Sequence, residues 1–242
     1  MIHLNDLQLH VVGNSLHQGK DFMIKSTCKS LNPDYLLFFD SRGISKCYHN
    51  SLADRLISHI EQLGKSYLLI CRPLELTIWA SFLNFMNINQ INPGKIILNM
   101  GFVDFTPKKL DLLQDTLAQV EYLLGDGVAK PYFVEDYTST QGIIQLYSVH
   151  YGESYGNAIE AISANHSIVI INSPPVKSTM KLERKRPSSF YNALSIANDY
   201  NHSLNGPVVI DFPNFPKTHT YDAVHYTDKG NTLISTKVAS YI

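Results

Sequence analysis

Tyr35-Leu36-Leu37-Phe38-Phe39 runs five residues without a polar break. A strand with one face in water alternates apolar and polar side chains. A strand covered by helices on both faces does not, so this run reads as a strand inside a parallel sheet. The same kind of run recurs along the chain: residues 7–13 (LQLHVVG) before it, and Tyr67–Cys71 (YLLIC), residues 95–100 (KIILNM), 167–172 (SIVIIN) and 208–212 (VVIDF) after it. Stretches of helical period separate the runs. Residues 51–63 carry Leu52, Leu56, Ile60 and Leu63 on one face, and residues 109–124 carry Leu110, Leu113, Leu117, Val120 and Leu124. Residues 155–164 and 188–201 are shorter helices, and 228–242 closes the fold. Strands alternating with helices predict an α/β three-layer sandwich around a parallel sheet of about five strands.

Two stretches are less regular: 73–93 reads as a helical excursion that shapes a pocket, and 125–145 as loop and short hairpin. The basic run at 177–187 reads as a solvated loop. The 242 residues fit a single domain, 1–242. With 20 basic and 21 acidic side chains the net charge is -1, which gives no pull toward nucleic acid or an anionic membrane. The first ten residues have neither the basic start nor the apolar run of a secretory signal, and no stretch has the length of a membrane span. Cys28, Cys47 and Cys71 are odd in number and lack C-x-x-C spacing, so free thiols in a cytoplasmic protein are expected.

In a parallel sheet, reacting groups sit beyond the carboxyl ends of the strands. Gly13 allows a sharp turn after the first run and puts Ser15 at such an end. Alone that is an ordinary turn. Near the other terminus, Asp222-Ala223-Val224-His225 sets a carboxylate three residues before a histidine. One tight loop can then hold the imidazole in one tautomer and leave its other nitrogen to take a proton from a serine. The same segment also starts a helix, with Thr227 as N-cap and Asp228 in its first turn.

These residues, taken together, resemble the SGNH/GDSL hydrolase superfamily. Gly13-Asn14-Ser15-Leu16 is similar to the family's G-D-S-L block with Asn for Asp. Asp40-Ser41-Arg42-Gly43-Ile44-Ser45 resembles its second, glycine-bearing block, and Asp222-Ala223-Val224-His225 its closing D-x-x-H. The resemblance implies a flavodoxin-like fold and a Ser15–His225–Asp222 triad. It implies an oxyanion site from the N–H groups of Ser15 and Gly43. The third block, G-x-N-D in the family, is here Gly101-Phe102-Val103-Asp104. Valine donates nothing, which leaves Asn99 to compensate and Asp104 to bind or to brace the loop; His17 lies two residues after Ser15 and could line the pocket. The G-x-V-D form resembles SGNH proteins associated with bacterial surface polysaccharides.

The implied activity is ester hydrolysis or O-acyl transfer on acetyl or related esters, with carbohydrate esters as the candidate substrates, no metal or organic cofactor, and acetyl-CoA as donor in the transferase case. Two rivals remain. One is an α/β-hydrolase using Ser154 in Gly152-Glu153-Ser154-Tyr155-Gly156; the other is a non-catalytic binding module on the same fold. A zinc site at His219, Asp222 and His225 is disfavoured because all three ligands fall in one loop. Trp79, Phe82, Phe85 and Tyr48 read as core packing before pocket walls, and His150 and His166 as structural.

Overall fold

The protein is described by a computed structural model, covering residues 23–27, 31–44, 50–72, 75–181, 183 and 186–242. The expected strand at 7–13, with Ser15 and His17, lies outside these residues, as do Cys28, Cys47 and Tyr48.

The strands are β1 (Met23–Ser26), β2 (Tyr35–Phe39), β3 (Tyr67–Cys71), β4 (Lys95–Asn99), β5 (Lys130–Ser139), β6 (Gly142–His150), β7 (Ser167–Ile171) and β8 (Val208–Ile210). The helices are α1 (Leu52–Gln62), α2 (Ile78–Asn89), α3 (Phe102–Phe105), α4 (Leu110–Leu124), α5 (Gly152–Ser163), α6 (Ser188–Ser203) and α7 (Asp228–Ala239). The main sheet runs β1-β3-β2-β4-β7-β8. Five of its strands are parallel, as expected, and β1 adds an antiparallel edge beside β3.

The unbroken apolar runs are explained by a strict division of side chains between two cores. Leu36, Phe38, Leu68, Ile70, Ile96, Leu98, Ile168 and Ile170 meet α2, α4 and α5 on one face. Tyr35, Leu37, Phe39, Leu69, Ile97, Val169 and Ile171 meet α1 and α7 on the other. Successive residues belong to different cores, so the runs stay apolar on both faces up to the buried Asn99 that ends β4. Trp79, Phe82 and Phe85 lie in the first core, which settles them as packing residues.

Two expectations are corrected. The stretch at 125–145 is a longer ribbon, in which β5 and β6 pair antiparallel with a bulge between Phe133 and Glu135. The shorter helix starts at Gly152 rather than Tyr155, so the whole G-x-S-x-G segment lies in α5. Among the described residues no helix is long and apolar enough to cross a membrane.

Candidate active site

The strand order fixes where a site can form. From β2 the chain goes to β3 on one side and then returns past it to β4 on the other. The crevice at such a reversal, beyond the carboxyl ends of the two diverging strands, is where ligands bind in open α/β sheets. Asp40-Ser41-Arg42-Gly43 follows β2 at this point, and Gly101-Phe102 follows β4. Both edges of β2 are taken by β3 and β4.

Ser41 opens a 3-10 turn, Ser41–Gly43, whose N-cap is Asp40. The Arg42 N–H donates to Asp40 Oδ1 at 2.8 Å, and the Gly43 N–H to the Asp40 carbonyl at 3.1 Å. Arg42 also closes back on Asp40 through its guanidinium, at 2.8 Å from Nη2 to Oδ2, with both side chains out of water. Its Nη1 donates to Ser173 Oγ, past the end of β7. The Cys71 thiol donates to the Asp40 carbonyl at 3.0 Å, and burial pushes that thiol up, so it stays protonated. Ser41 itself is half-buried, and its N–H and Oγ donate to no described group.

The Asp222–His225 loop comes to the same place. His225 Nδ1 lies 3.1 Å from each carboxylate oxygen of Asp222, and Asp222 Oδ1 also accepts the N–H groups of Val224 at 3.2 Å and His225 at 2.9 Å. Burial opposes the carboxylate's charge, but these donors outweigh it and hold the Asp222 carboxyl well below the usual range. With Nδ1 donating to Asp222, the neutral imidazole offers Nε2 as acceptor, and Nε2 is buried without a partner among the described residues. Ala223 takes a left-handed backbone, φ 63°, a conformation that costs about 1–3 kcal/mol and is held here by the loop's own bonds. The Tyr221 N–H and Thr220 Oγ1 both donate to the His225 carbonyl, at 2.8 and 3.0 Å. Thr227 caps α7 immediately afterwards, with Asp228 in its first turn, so the helix start and the loop coexist as expected.

Ser41, Asp222 and His225 line one pocket of about 200 Å³, walled by Phe102, Phe190 and Arg186. Neither the serine nor the arginine was singled out from the sequence as a site residue. The signal for Ser41 was present, a serine directly after an apolar strand. Arg186 belongs to the basic run assigned to solvent, but its guanidinium stacks 4.1 Å above the Phe190 ring and 5.7 Å from Phe102.

Other expected site residues lie elsewhere. Gly43 is buried, with its N–H engaged inside the turn, so it is not disposed to stabilise an oxyanion. Asn99 is fully buried and its Nδ2 donates to the Ile171 carbonyl at 3.3 Å, away from the pocket lining. Asp104 is a brace. Its Oδ1 accepts Thr77 Oγ1 at 2.8 Å, the N–H groups of Ile78 and Trp79 at the start of α2, and the Tyr151 hydroxyl at 3.1 Å. Lys108, also buried, supports the same segment by donating to the carbonyls of Val103, Asp104 and Thr106. Ser154 sits exposed in the first turn of α5, behind an antiparallel ribbon rather than a sheet strand, and borders a different, largely apolar pocket of about 540 Å³ with His166. That is not a nucleophile elbow. Gly156 serves packing, since a Cβ there would come within 3.3 Å of Leu204 and Tyr200 on and beyond α6. No group of three or more His, Cys, Asp or Glu among the described residues could hold a metal.

No known family's sequence profile matches the chain, and no curated protein matches it by sequence. Solved structures do match by shape. One is a gut microbial diltiazem-metabolizing enzyme, 10% identical, with a TM-score of 0.50 over 86% of this chain; the chain spans 46% of that protein's length. A lipase/acylhydrolase from Enterococcus faecalis matches over 86% of this chain and 94% of its own, at 16% identity and TM-score 0.46. A family two carbohydrate esterase from Clostridium thermocellum, solved with cellohexaose, matches over 86% and 62% at 13% identity and TM-score 0.43. The likeness to the first of these, at 10% identity, is one of fold.

Proposed function

We propose that the chain is a serine-dependent ester hydrolase of the SGNH/GDSL type whose nucleophile is Ser41, with His225 as base and acid and Asp222 as the group that orients it. One observation carries this reading: Ser41, at the end of the strand where the sheet reverses direction, and the His225–Asp222 pair line the same pocket. It replaces Ser15 in the role that the sequence resemblance implied.

Ser41 Oγ attacks the ester carbonyl as its proton passes to His225 Nε2. Asp222 remains ionised and stabilises the imidazolium. The tetrahedral intermediate collapses to an acyl-Ser41 ester, and His225 returns the proton to the leaving alcohol. Water, activated by His225, then releases the acid; a hydroxyl acceptor in its place makes the same intermediate a transfer step. The Ser41 N–H, which donates to no described group, is the nearest backbone candidate for the oxyanion. A single such donor typically contributes about 3–4 kcal/mol to the transition state. A pocket of about 200 Å³ suits a short acyl group such as acetyl.

The test is 4-nitrophenyl acetate turnover with fluorophosphonate labelling, on wild type and on Ser41→Ala, Ser15→Ala and Ser154→Ala. Loss of turnover and label with Ser41→Ala alone supports the assignment. Loss with Ser15→Ala alone returns the nucleophile to the first block. A wild-type protein that neither turns over nor labels is a binding module on this fold.

A further inference from the structure

We infer that the cleft between α2, α4 and α5 is a second binding site, which takes a neutral single-chain amphiphile, an alkyl chain ending in a hydroxyl. The inference does not depend on the ester-site reading. Through Ile91 and His166 the cleft reaches the amino ends of β4 and β7, whereas Ser41 lies beyond the carboxyl end of β2. Its volume is about 540 Å³, against about 200 Å³ for the Ser41 pocket, and falls within the range of small-molecule sites. The gap has a cause in the packing. α2 packs against α4, while α5 joins the core through Tyr155 and Ile159 and stands off from both helices. Ala158 and Ala161 line the gap and are too short to close it. Leu83 and Met86 of α2, Leu124 of α4 and Ile162 of α5 make the apolar walls.

The lining selects a neutral ligand. It carries no Lys, Arg, Asp or Glu, so a carboxylate or an ammonium drawn into it would lose water without gaining a partner. Its polar residues are few: Asn87 on α2, Ser154 in the first turn of α5, and Asn165 and His166 just past the end of that helix. Between Ser154 and Asn165 the cleft side of α5 is apolar over about 16 Å, at a rise of 1.5 Å per residue. His166 supplies the directional group. Its Nδ1 lies 2.9 Å from the Pro93 carbonyl, which can only accept, so the neutral ring keeps its proton there and offers Nε2 as an acceptor. Nε2 bonds to no described group. An acceptor at the end of a long uncharged cleft matches a hydroxyl on an alkyl chain. A protein partner is the wrong scale, since thirteen residues line the cleft and one side of a stable interface uses about 20–30.

The experiment is titration calorimetry of 1-decanol and of decanoate, the latter fully ionised, on wild type, Ala158→Phe, Ala161→Phe and His166→Leu, with urea midpoints to show that each variant folds. The expected result is saturable binding of one decanol by wild type, with decanoate weaker by about tenfold or more. Either phenylalanine fills the gap and weakens decanol by about tenfold or more. His166→Leu weakens it by about three- to tenfold, the scale of one neutral hydrogen bond. Three results overturn the inference: no saturable decanol binding by wild type, decanoate bound as tightly as decanol, or decanol binding untouched in a folded phenylalanine variant. A wild-type dimer in sedimentation that either phenylalanine dissociates also overturns it, because a second copy of the chain then fills the cleft. Should Ala158→Phe fail to fold, Ala161→Phe decides, since that position is exposed. Unchanged affinity in His166→Leu overturns the placing of the hydroxyl.

Discussion

Asp40 and Arg42 close on each other across Ser41: the guanidinium Nη2 and the carboxylate Oδ2 are 2.8 Å apart, and Nε lies 2.9 and 3.0 Å from the two carboxylate oxygens. The serine between them is held at the mouth of the pocket by a pair that never meets water. A buried ion pair of this kind is worth little against an apolar replacement of both partners, but removing one partner strands the other charge.

Arg42→Met should therefore destabilise the protein by about 3–5 kcal/mol, read as a lower urea midpoint. Adding Asp40→Asn to it should recover part of the loss, since the amide is uncharged and still accepts the Arg42-position N–H. Equal stability of the single and double variants would mean that packing of the Arg42 stem, not the stranded carboxylate, sets the cost.

Asp222→Asn keeps the shape of the loop but removes the charge that fixes the His225 tautomer. The expected loss in kcat on 4-nitrophenyl acetate is about 10³–10⁴-fold, with labelling of Ser41 slowed in parallel. The loss belongs to kcat and leaves KM nearly unchanged, because Asp222 stabilises a charge that exists only after proton transfer. A change below tenfold would deny Asp222 the orienting role.

The contrast between Asp222–His225 and Ser41 explains what the sequence could and could not reveal. An acid three residues from a histidine is a local relation, and a tight loop preserves it whatever the rest of the chain does. The five parallel strands were equally legible, because burial on both faces forces unbroken runs such as Tyr35–Phe39, whereas the antiparallel edge strand β1 has no such run and was missed. Their order was not. A run apolar on both faces records no preferred neighbour, so nothing in YLLFF states that it lies between β3 and β4, at the reversal of the sheet. Both Ser15 and Ser41 follow an apolar run; strand order puts Ser41 at the reversal of the sheet, while Ser15 lies outside the described residues. Arg186 was hidden for a related reason: Phe102, which lies 5.7 Å from its guanidinium, comes from α3, and no local pattern records that approach.

Gly43 is required by packing. A Cβ there would lie 2.7 and 2.8 Å from Phe39 atoms and 3.2 Å from Cys71 Sγ. Gly43→Ala should cost about 1–3 kcal/mol of stability and displace the Ser41 turn, lowering labelling of Ser41. If Gly43→Ala labelled as fast as wild type, the turn would have room that these distances deny.

Lys108 supplies a pH signature of the brace behind the site. Burial pushes its ammonium down to about 8, with Asp104 opposing the shift. An unfolded lysine titrates near 10.4. Between these values the unfolded chain keeps a proton that the native chain has released, so this group's contribution to stability rises with pH across that window. Cys71, Tyr151 and Tyr155, all pushed up by burial, pull the opposite way at the alkaline end, so the wild-type curve alone would mix the effects. Comparison with Lys108→Met cancels them. The stability of wild type relative to that variant should grow by on the order of 2 kcal/mol between pH 7.5 and 10, one pKa unit being worth about 1.4 kcal/mol. The three carbonyl bonds that Lys108→Met also removes shift the whole comparison by a roughly constant amount and leave its slope intact. Parallel urea midpoints over that range would mean that the Lys108 ammonium keeps its proton in the folded protein, and that its charge, neutralised by Asp104, is part of what holds Val103 and Asp104 beneath the pocket.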